Sequence, residues 1–208
     1  PLHGSVGIGH TRWATHGRPT ETNAHPHRAG SVVVVHNGII ENYLELKDYL
    51  VKKGAKVASE TDTEIVAHLV EEEIDKGANF LSAVRKSLRR IHGSYALAFL
   101  HQKDPHRLII AKNSTPIVIG CREGETFVAS DIPALLDHTR KVVFLEDGEI
   151  AEVTAEGIRM WDGAGKETKR AFKEITWDAV TAQKGGFPHF MLKEIYEQPS
   201  VIRRSLAG

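Results

Sequence analysis

The residue types most capable of chemistry gather in three short stretches between His10 and Asp62. The first is His10-Thr11-Arg12-Trp13-Ala14-Thr15-His16-Gly17, directly after a predicted strand. An Arg at a strand end can grip a carboxylate through two parallel hydrogen bonds, although a surface ion pair is its commoner use. Trp13 reads either as a lid or as a core anchor, the second being commoner. The second stretch, His36-Asn37-Gly38, closes a run of four valines. Asn-Gly is the favoured pair for a tight hairpin. Here, however, Ile39-Ile40-Glu41-Asn42 leads on into a predicted helix. The alternative is an Asn amide and the next backbone N–H aimed at one oxygen, as an oxyanion hole requires. The third is Asp62, in the first turn of a predicted helix. The helix dipole alone favours an acid there; the chemical alternative is a partner for a substrate ammonium group.

Two further candidates are weaker. His25-Pro26-His27, with His10, His16 and His36 nearby, offers imidazoles to a metal. No Cys and no HExxH-type spacing supports that reading, so no metal is expected. Cys121 is the single cysteine. It stands between Gly120 and a charged turn with no histidine close in sequence, which suits an inert thiol better than a nucleophile.

These residues need elements to hold them. Ser5–His10 alternates small and apolar residues and predicts a buried strand, and Thr11–Gly30 predicts a long loop. Ser31–His36 predicts a strand buried on both faces. Asn42–Lys53 has helical spacing and ends at Gly54, and a short strand is expected at Lys56–Ser59. Thr61-Asp62-Thr63-Glu64 has the capping-box pattern, opening a helix to about Lys76 with Ile65, Val66, Leu69, Val70 and Ile74 as its apolar stripe. A further helix is predicted over Asn79–Ile91. After Gly93 the texture turns to short strands separated by Glu123-Gly124, Asp147-Gly148 and Asp162-Gly163. Lys166–Gly186 reads as polar and irregular, and His189–Leu206 as a last helix. Strands, then helices, then strands predict a layered α+β sandwich rather than a doubly wound sheet.

Bulk properties set the limits. The 208 residues carry 27 basic and 27 acidic side chains, for zero formal net charge. Such a balance offers nucleic acid or an anionic membrane no broad footprint, so neither is expected as a partner. No apolar run has the length of a membrane span. One cysteine and no signal-like start make the cytoplasm the expected location. The chain opens Pro1-Leu2-His3-Gly4 without Met and closes inside a predicted helix, so both ends are expected to be internal to a longer protein.

Taken together, the run from His10 to Gly17, Asn-Ala-His-Pro-His from Asn23, Val-Val-His-Asn-Gly-Ile-Ile-Glu-Asn from Val34 and Ser-Glu-Thr-Asp-Thr-Glu from Ser59 resemble the class II glutamine amidotransferases. Within them the chain is most similar to the branch that aminates fructose 6-phosphate; Lys193-Glu194-Ile195-Tyr196-Glu197-Gln198-Pro199 resembles that branch's join to a sugar isomerase half. The resemblance implies an N-terminal-nucleophile hydrolase fold, a four-layer α-β-β-α sandwich, here missing its first strands. Residues 1–165 would be the glutaminase domain and 166–208 a linker toward the isomerase domain. Arg12 would bind the α-carboxylate of L-glutamine and Asp62 its α-ammonium group, with Thr15 and His16 lining the pocket. Asn37 and Gly38 would form the oxyanion hole, and Trp13 would belong to a closing loop. No cofactor is implied. Fructose 6-phosphate would be met through the isomerase domain, giving glucosamine 6-phosphate, and the full-length protein would be a homo-oligomer. The family's N-terminal Cys nucleophile has no counterpart here, so these 208 residues are expected to be inactive alone. A glutamine-sensing module, or the glutaminase domain of another class II amidotransferase, remains the alternative.

Overall fold

The computed structural model describes residues 4–13, 17–176 and 186–207. Two antiparallel sheets stack on each other. The larger holds β1 (His27–Ala29), β2 (Val32–Ile40), β3 (Gly93–His101), β4 (Asp104–Asn113), β8 (Ile150–Thr154), β9 (Gly157–Trp161) and β10 (Glu167–Thr168), in the order β1-β2-β3-β4-β8-β9-β10. The smaller holds β5 (Val118–Arg122), β6 (Glu125–Ala129), β7 (Lys141–Phe144) and β11 (Lys173–Glu174), in the order β11-β7-β5-β6. Helices α1 (Tyr43–Lys52), α2 (Asp62–Asp75) and α3 (Phe80–Leu88) cover the outer face of the larger sheet. A fourth helix, α4, spans Phe190–Ala207. Among the described residues no helix is long and apolar enough to cross a membrane.

The layering follows from alternation along β3. Leu97 and Phe99, both fully buried, point into the helices, where Ile65, Val66, Leu69 and Val70 of α2 meet them together with Val32 and Val34. Ala96 and Ala98 point the other way, into a second cluster with Ile110, Ile119, Val143 and Ala151 between the two sheets. Strand pleating makes this division, and the alanines leave room for a second sheet to approach. A third cluster on the far face of the smaller sheet joins Val118 and Val142 to Leu135 and Ile175. It is covered by the 3₁₀ turn Ile132–Ala134 and its flanks, in the place where the sequence resemblance implies a full helical layer.

Several predicted elements differ. Ser5–His10 is neither a strand nor buried: Gly7 and Gly9 interrupt it, and it joins neither sheet of the described residues. Lys56–Ser59 is not a strand either. The N–H groups of Ala58 and Ser59 donate to the Glu64 carboxylate, at 2.8 and 2.5 Å, instead of to a sheet neighbour. The valine strand extends to Ile40 and alternates between buried and half-buried residues, since its second face looks toward the cavity between the sheets. The supposedly irregular 166–186 contributes β10 and β11, which pair with β9 and β7.

One ion-pair centre ties the helices together. Glu72 of α2 accepts from Tyr49 of α1 at 2.8 Å, from Lys53 just beyond α1 at 2.6 Å and from Arg90 beyond α3 at 2.9 Å. Burial alone would raise its carboxyl, but the bonds from Lys53, Tyr49, Arg90 and Lys76 outweigh it and bring the pKa from 4.5 down to about 2. A depressed folded pKa adds stability that is present above the unfolded value and is lost as pH falls toward the folded one. Replacing Glu72 by Gln should therefore cost about 1–2 kcal/mol at neutral pH, after allowing for solvent screening of the exposed partners. It should also flatten the fall in chemical-denaturation stability between pH 4.5 and 2. An unchanged acid limb would show that the cluster contributes nothing.

Candidate functional site

The site forms where β2 ends beside the start of α2. Thr61 caps α2, its hydroxyl accepting the Glu64 N–H at 3.4 Å. The predicted capping box is altered: Glu64 reaches past the cap to the N–H groups of Ala58 and Ser59 and so folds the preceding turn. Burial would raise the Glu64 carboxyl, yet the bonds from Ser59 and Ala58 hold it below the usual glutamate value. Asp62, only 4% exposed, follows directly. Its Oδ2 accepts the backbone N–H of Ile40 at 2.8 Å, which joins the start of the helix to the end of the strand.

Asn37 and Gly38 do not form a hairpin turn. They lie within β2, opposite Ala96 and Tyr95 of β3. Gly38 has φ +126°, and a Cβ there would stand 2.1 Å from the Ser94 carbonyl oxygen. Only glycine permits this conformation and this approach. Asn37 Oδ1 lies 2.6 Å from His10 Nε2. A carbonyl oxygen only accepts, so the imidazole donates.

The loop carrying Arg12 is held by a buried amide. Arg12 donates from Nη1 to the Arg18 carbonyl and from Nη2 to the Gly17 carbonyl, each at 3.1 Å. Asn23, 3% exposed, donates to that same Arg18 carbonyl at 3.0 Å and to Glu60 Oε2 at 3.1 Å, and accepts the Glu60 N–H at 2.9 Å. This amide therefore links the Arg12 loop to the turn before Asp62. Sequence reasoning gave Asn23 no role of its own; its signal was its place at the head of the Asn-Ala-His-Pro-His motif.

A cavity of about 300 Å³ opens here, lined among others by Arg12, Trp13, Asn37, Gly38 and Asp62. Five of the seven predicted site residues are thus brought together; Thr15 and His16 lie outside the described residues. Trp13 is 91% exposed at the rim, which overturns its reading as a core anchor. A second cavity of about 510 Å³ between the sheets shares His10, Thr11, His36 and Asn37 with the first.

The histidines gather as expected for a metal site but bond otherwise. The rings of His10 and His25 lie 4.3 Å apart, and those of His25 and His27 lie 4.9 Å apart. His27 Nε2 meets the Thr61 hydroxyl and His36 Nδ1 the Thr63 hydroxyl, both at 3.0 Å. Among the described residues no three His, Cys, Asp or Glu side chains are placed to hold a metal. Burial, followed by the charges of His10, His27, His36 and Arg12, lowers His25 to about 3; burial also lowers His27. Both stay neutral at pH 7. Chemically, the pocket pairs a buried carboxylate with a guanidinium and a strand-held amide, a set suited to a small zwitterion bearing a polar side chain.

Removing the Asn23 amide should separate the two loops. Asn23→Ala should cost about 1–3 kcal/mol, because it leaves the Glu60 N–H without its acceptor and cuts the bond that ties the Arg18 carbonyl to Glu60. In hydrogen exchange the Glu60 amide should lose its protection while β3 keeps its own. Equal protection at Glu60 in both proteins would rule the link out.

The chain as a whole is similar to known proteins. The family model described as a glutamine amidotransferase domain matches residues 10–137. A glutamine–fructose-6-phosphate aminotransferase (isomerizing) of Thermus thermophilus is 50% identical over 210 residues, covering 100% of this chain and 34% of its own length. The one from Pyrococcus horikoshii is 52% identical, over 100% of this chain and 35% of its own. The chain thus spans about a third of these relatives. Among solved structures, the glutamine phosphoribosylpyrophosphate amidotransferase of B. subtilis superposes with TM-score 0.63 over 78% of this chain and 35% of its own. At 24% identity it shows a shared fold.

Proposed function

The chain belongs to the glutamine amidotransferase domain family, and on that premise we propose that its pocket binds L-glutamine for release of the amide nitrogen. One observation carries the reading: Arg12, Trp13, Asn37, Gly38 and Asp62 face one cavity of about 300 Å³. Arg12 holds the α-carboxylate and Asp62 the α-ammonium group, so the zwitterionic end is fixed at two opposite charges. The motif resemblance assigns Thr15 and His16 to the same substrate, and Trp13 closes over the pocket. The side-chain amide then reaches β2, where the Asn37 amide and the Gly38 N–H stabilise the oxygen that becomes negative as a nucleophile adds to the carbonyl carbon. Breakage of the C–N bond, with protonation of the departing nitrogen, releases ammonia. Water then restores the acid as glutamate.

The nucleophile of this chemistry is a cysteine thiol. Cys121 does not serve: it lies on β5 and is not among the residues lining the pocket, and burial pushes its thiol up, away from the reactive thiolate. These 208 residues therefore supply the binding groups and the oxyanion donors, and alone bind glutamine without hydrolysing it. In the parent protein the ammonia passes to fructose 6-phosphate, giving glucosamine 6-phosphate. This extends the activity named for relatives that match the chain at 47–52% identity. Residues 1–165 form the glutaminase unit and 166–208 lead toward an isomerase domain, in a homo-oligomeric cytoplasmic enzyme.

Calorimetric titration tests the pocket. The chain should bind L-glutamine with no release of glutamate. Arg12→Met should weaken binding about 10- to 100-fold, through loss of charge-assisted bonds. Asp62→Asn should do the same and also lower the melting temperature, because the carboxylate holds the Ile40 N–H. Absence of any glutamine binding by the unmodified, folded chain would remove the assignment, and glutamate release would show that the thiol is not required.

A further inference from the structure

An amide side chain serves as an oxyanion donor only if its nitrogen faces the substrate. Turned over, it presents a partially negative oxygen to a developing negative charge, and stabilisation becomes repulsion. The strand backbone does not decide between the two orientations. Asn37 is fixed by its register against Ala96, but rotation about the last side-chain bond exchanges oxygen and nitrogen.

We propose that His10 is the positioning residue that makes this choice, donating from Nε2 to Asn37 Oδ1 so that the Asn37 nitrogen faces the pocket. The contact is 2.6 Å, short for a neutral pair, and the partners lie 27 positions apart in the chain. His10 Nδ1 is buried with no hydrogen-bond partner, as suits an imidazole whose proton sits on Nε2. On one side the ring packs at 4.3 Å and 42° against the half-buried ring of His25. The His25 Nδ1 in turn lies 3.5 Å from the backbone N–H of His36, the residue before Asn37. Ring and strand are thus referenced to each other on both sides. His36 takes no part in orienting the amide, because β2 alternates and turns its side chain to Thr63 on the opposite face.

This inference rests on reading Asn37 as an oxyanion donor, but the hydrogen bond itself does not, and the two can be tested separately. Imidazole ¹⁵N correlation spectra of the full 208-residue chain report the tautomer of His10. The Nε2–H form is expected; an Nδ1–H form cannot donate to Asn37 and would overturn the proposal whatever the pocket binds. His10→Phe keeps the ring packing and removes the donor. It should shift and broaden the Asn37 side-chain amide resonances. His10→Gln restores a donor near the Nε2 position and should return those resonances toward the wild-type pattern. Unchanged Asn37 resonances in His10→Phe would refute the positioning role. Failure of the unmodified chain to bind glutamine, with the tautomer and the rescue intact, would instead count against the proposed substrate.

Discussion

The strand side and the helix side of the pocket are referenced to each other by one buried hydrogen bond, from the Ile40 N–H to Asp62 Oδ2. It closes the end of a sheet strand onto the first turn of a helix, across a separation of 22 residues. A carboxylate at this point is stabilised twice, by the amide and by the helix dipole. This explains how an acid that is 4% exposed persists without a neighbouring lysine or arginine among its described partners. The same bond sets the distance between Asp62 and Asn37-Gly38, which lie three and two residues before Ile40 on the same strand. A substrate spanning the two is measured against the backbone and not against flexible side chains.

The two loops that complete the pocket have no sheet neighbours, so side chains do the work of strands. Glu64 takes the N–H groups that Ala58 and Ser59 would otherwise give to a strand. Asn23 plays the corresponding part on the other side, with both ends of its amide engaged between Arg18 and Glu60. Gly17 fits beneath this link only because it lacks a Cβ, which would stand 2.8 Å from the Asn23 amide nitrogen at φ +75°. Irregular backbone near a site is thereby kept in place by buried polar groups whose bonds are made, which is the condition for tolerating them there.

Local pattern made some of this legible in the sequence and hid the rest. The valine strand, the Thr61 cap and the α2 stripe were readable because each is decided within a few residues. That Arg12, Asn37, Gly38 and Asp62 would share one cavity was readable from motif resemblance. What escaped were facts set by distant partners. Ser5–His10 alternates like a strand, but among the described residues it pairs with neither sheet. Asn37-Gly38 has the composition of a turn, yet the β3 register carries the strand straight through it. Asn23 and His10 act through residues 37 and 27 positions away, respectively, a separation that spacing rules do not reach.

The bonding of Asp62 also bears on selectivity. Its described partners are a backbone N–H, the Thr63 hydroxyl at 3.4 Å and, farther off, the His36 ring at 3.9 Å. The amide and the hydroxyl orient a carboxylate without cancelling its charge, in contrast to Glu72, whose charge is answered by Lys53, Lys76 and Arg90. Glu72 is thus satisfied within the fold, while Asp62 keeps an electrostatic demand that a substrate ammonium can meet. A ligand lacking that ammonium would leave a buried carboxylate desolvated and unanswered, a penalty that typically exceeds the gain from any single good contact. In the proposed binding mode, discrimination in favour of an α-amino acid follows from the way the fold holds this one acid, before the chemistry proposed for Asn37 and Gly38 begins.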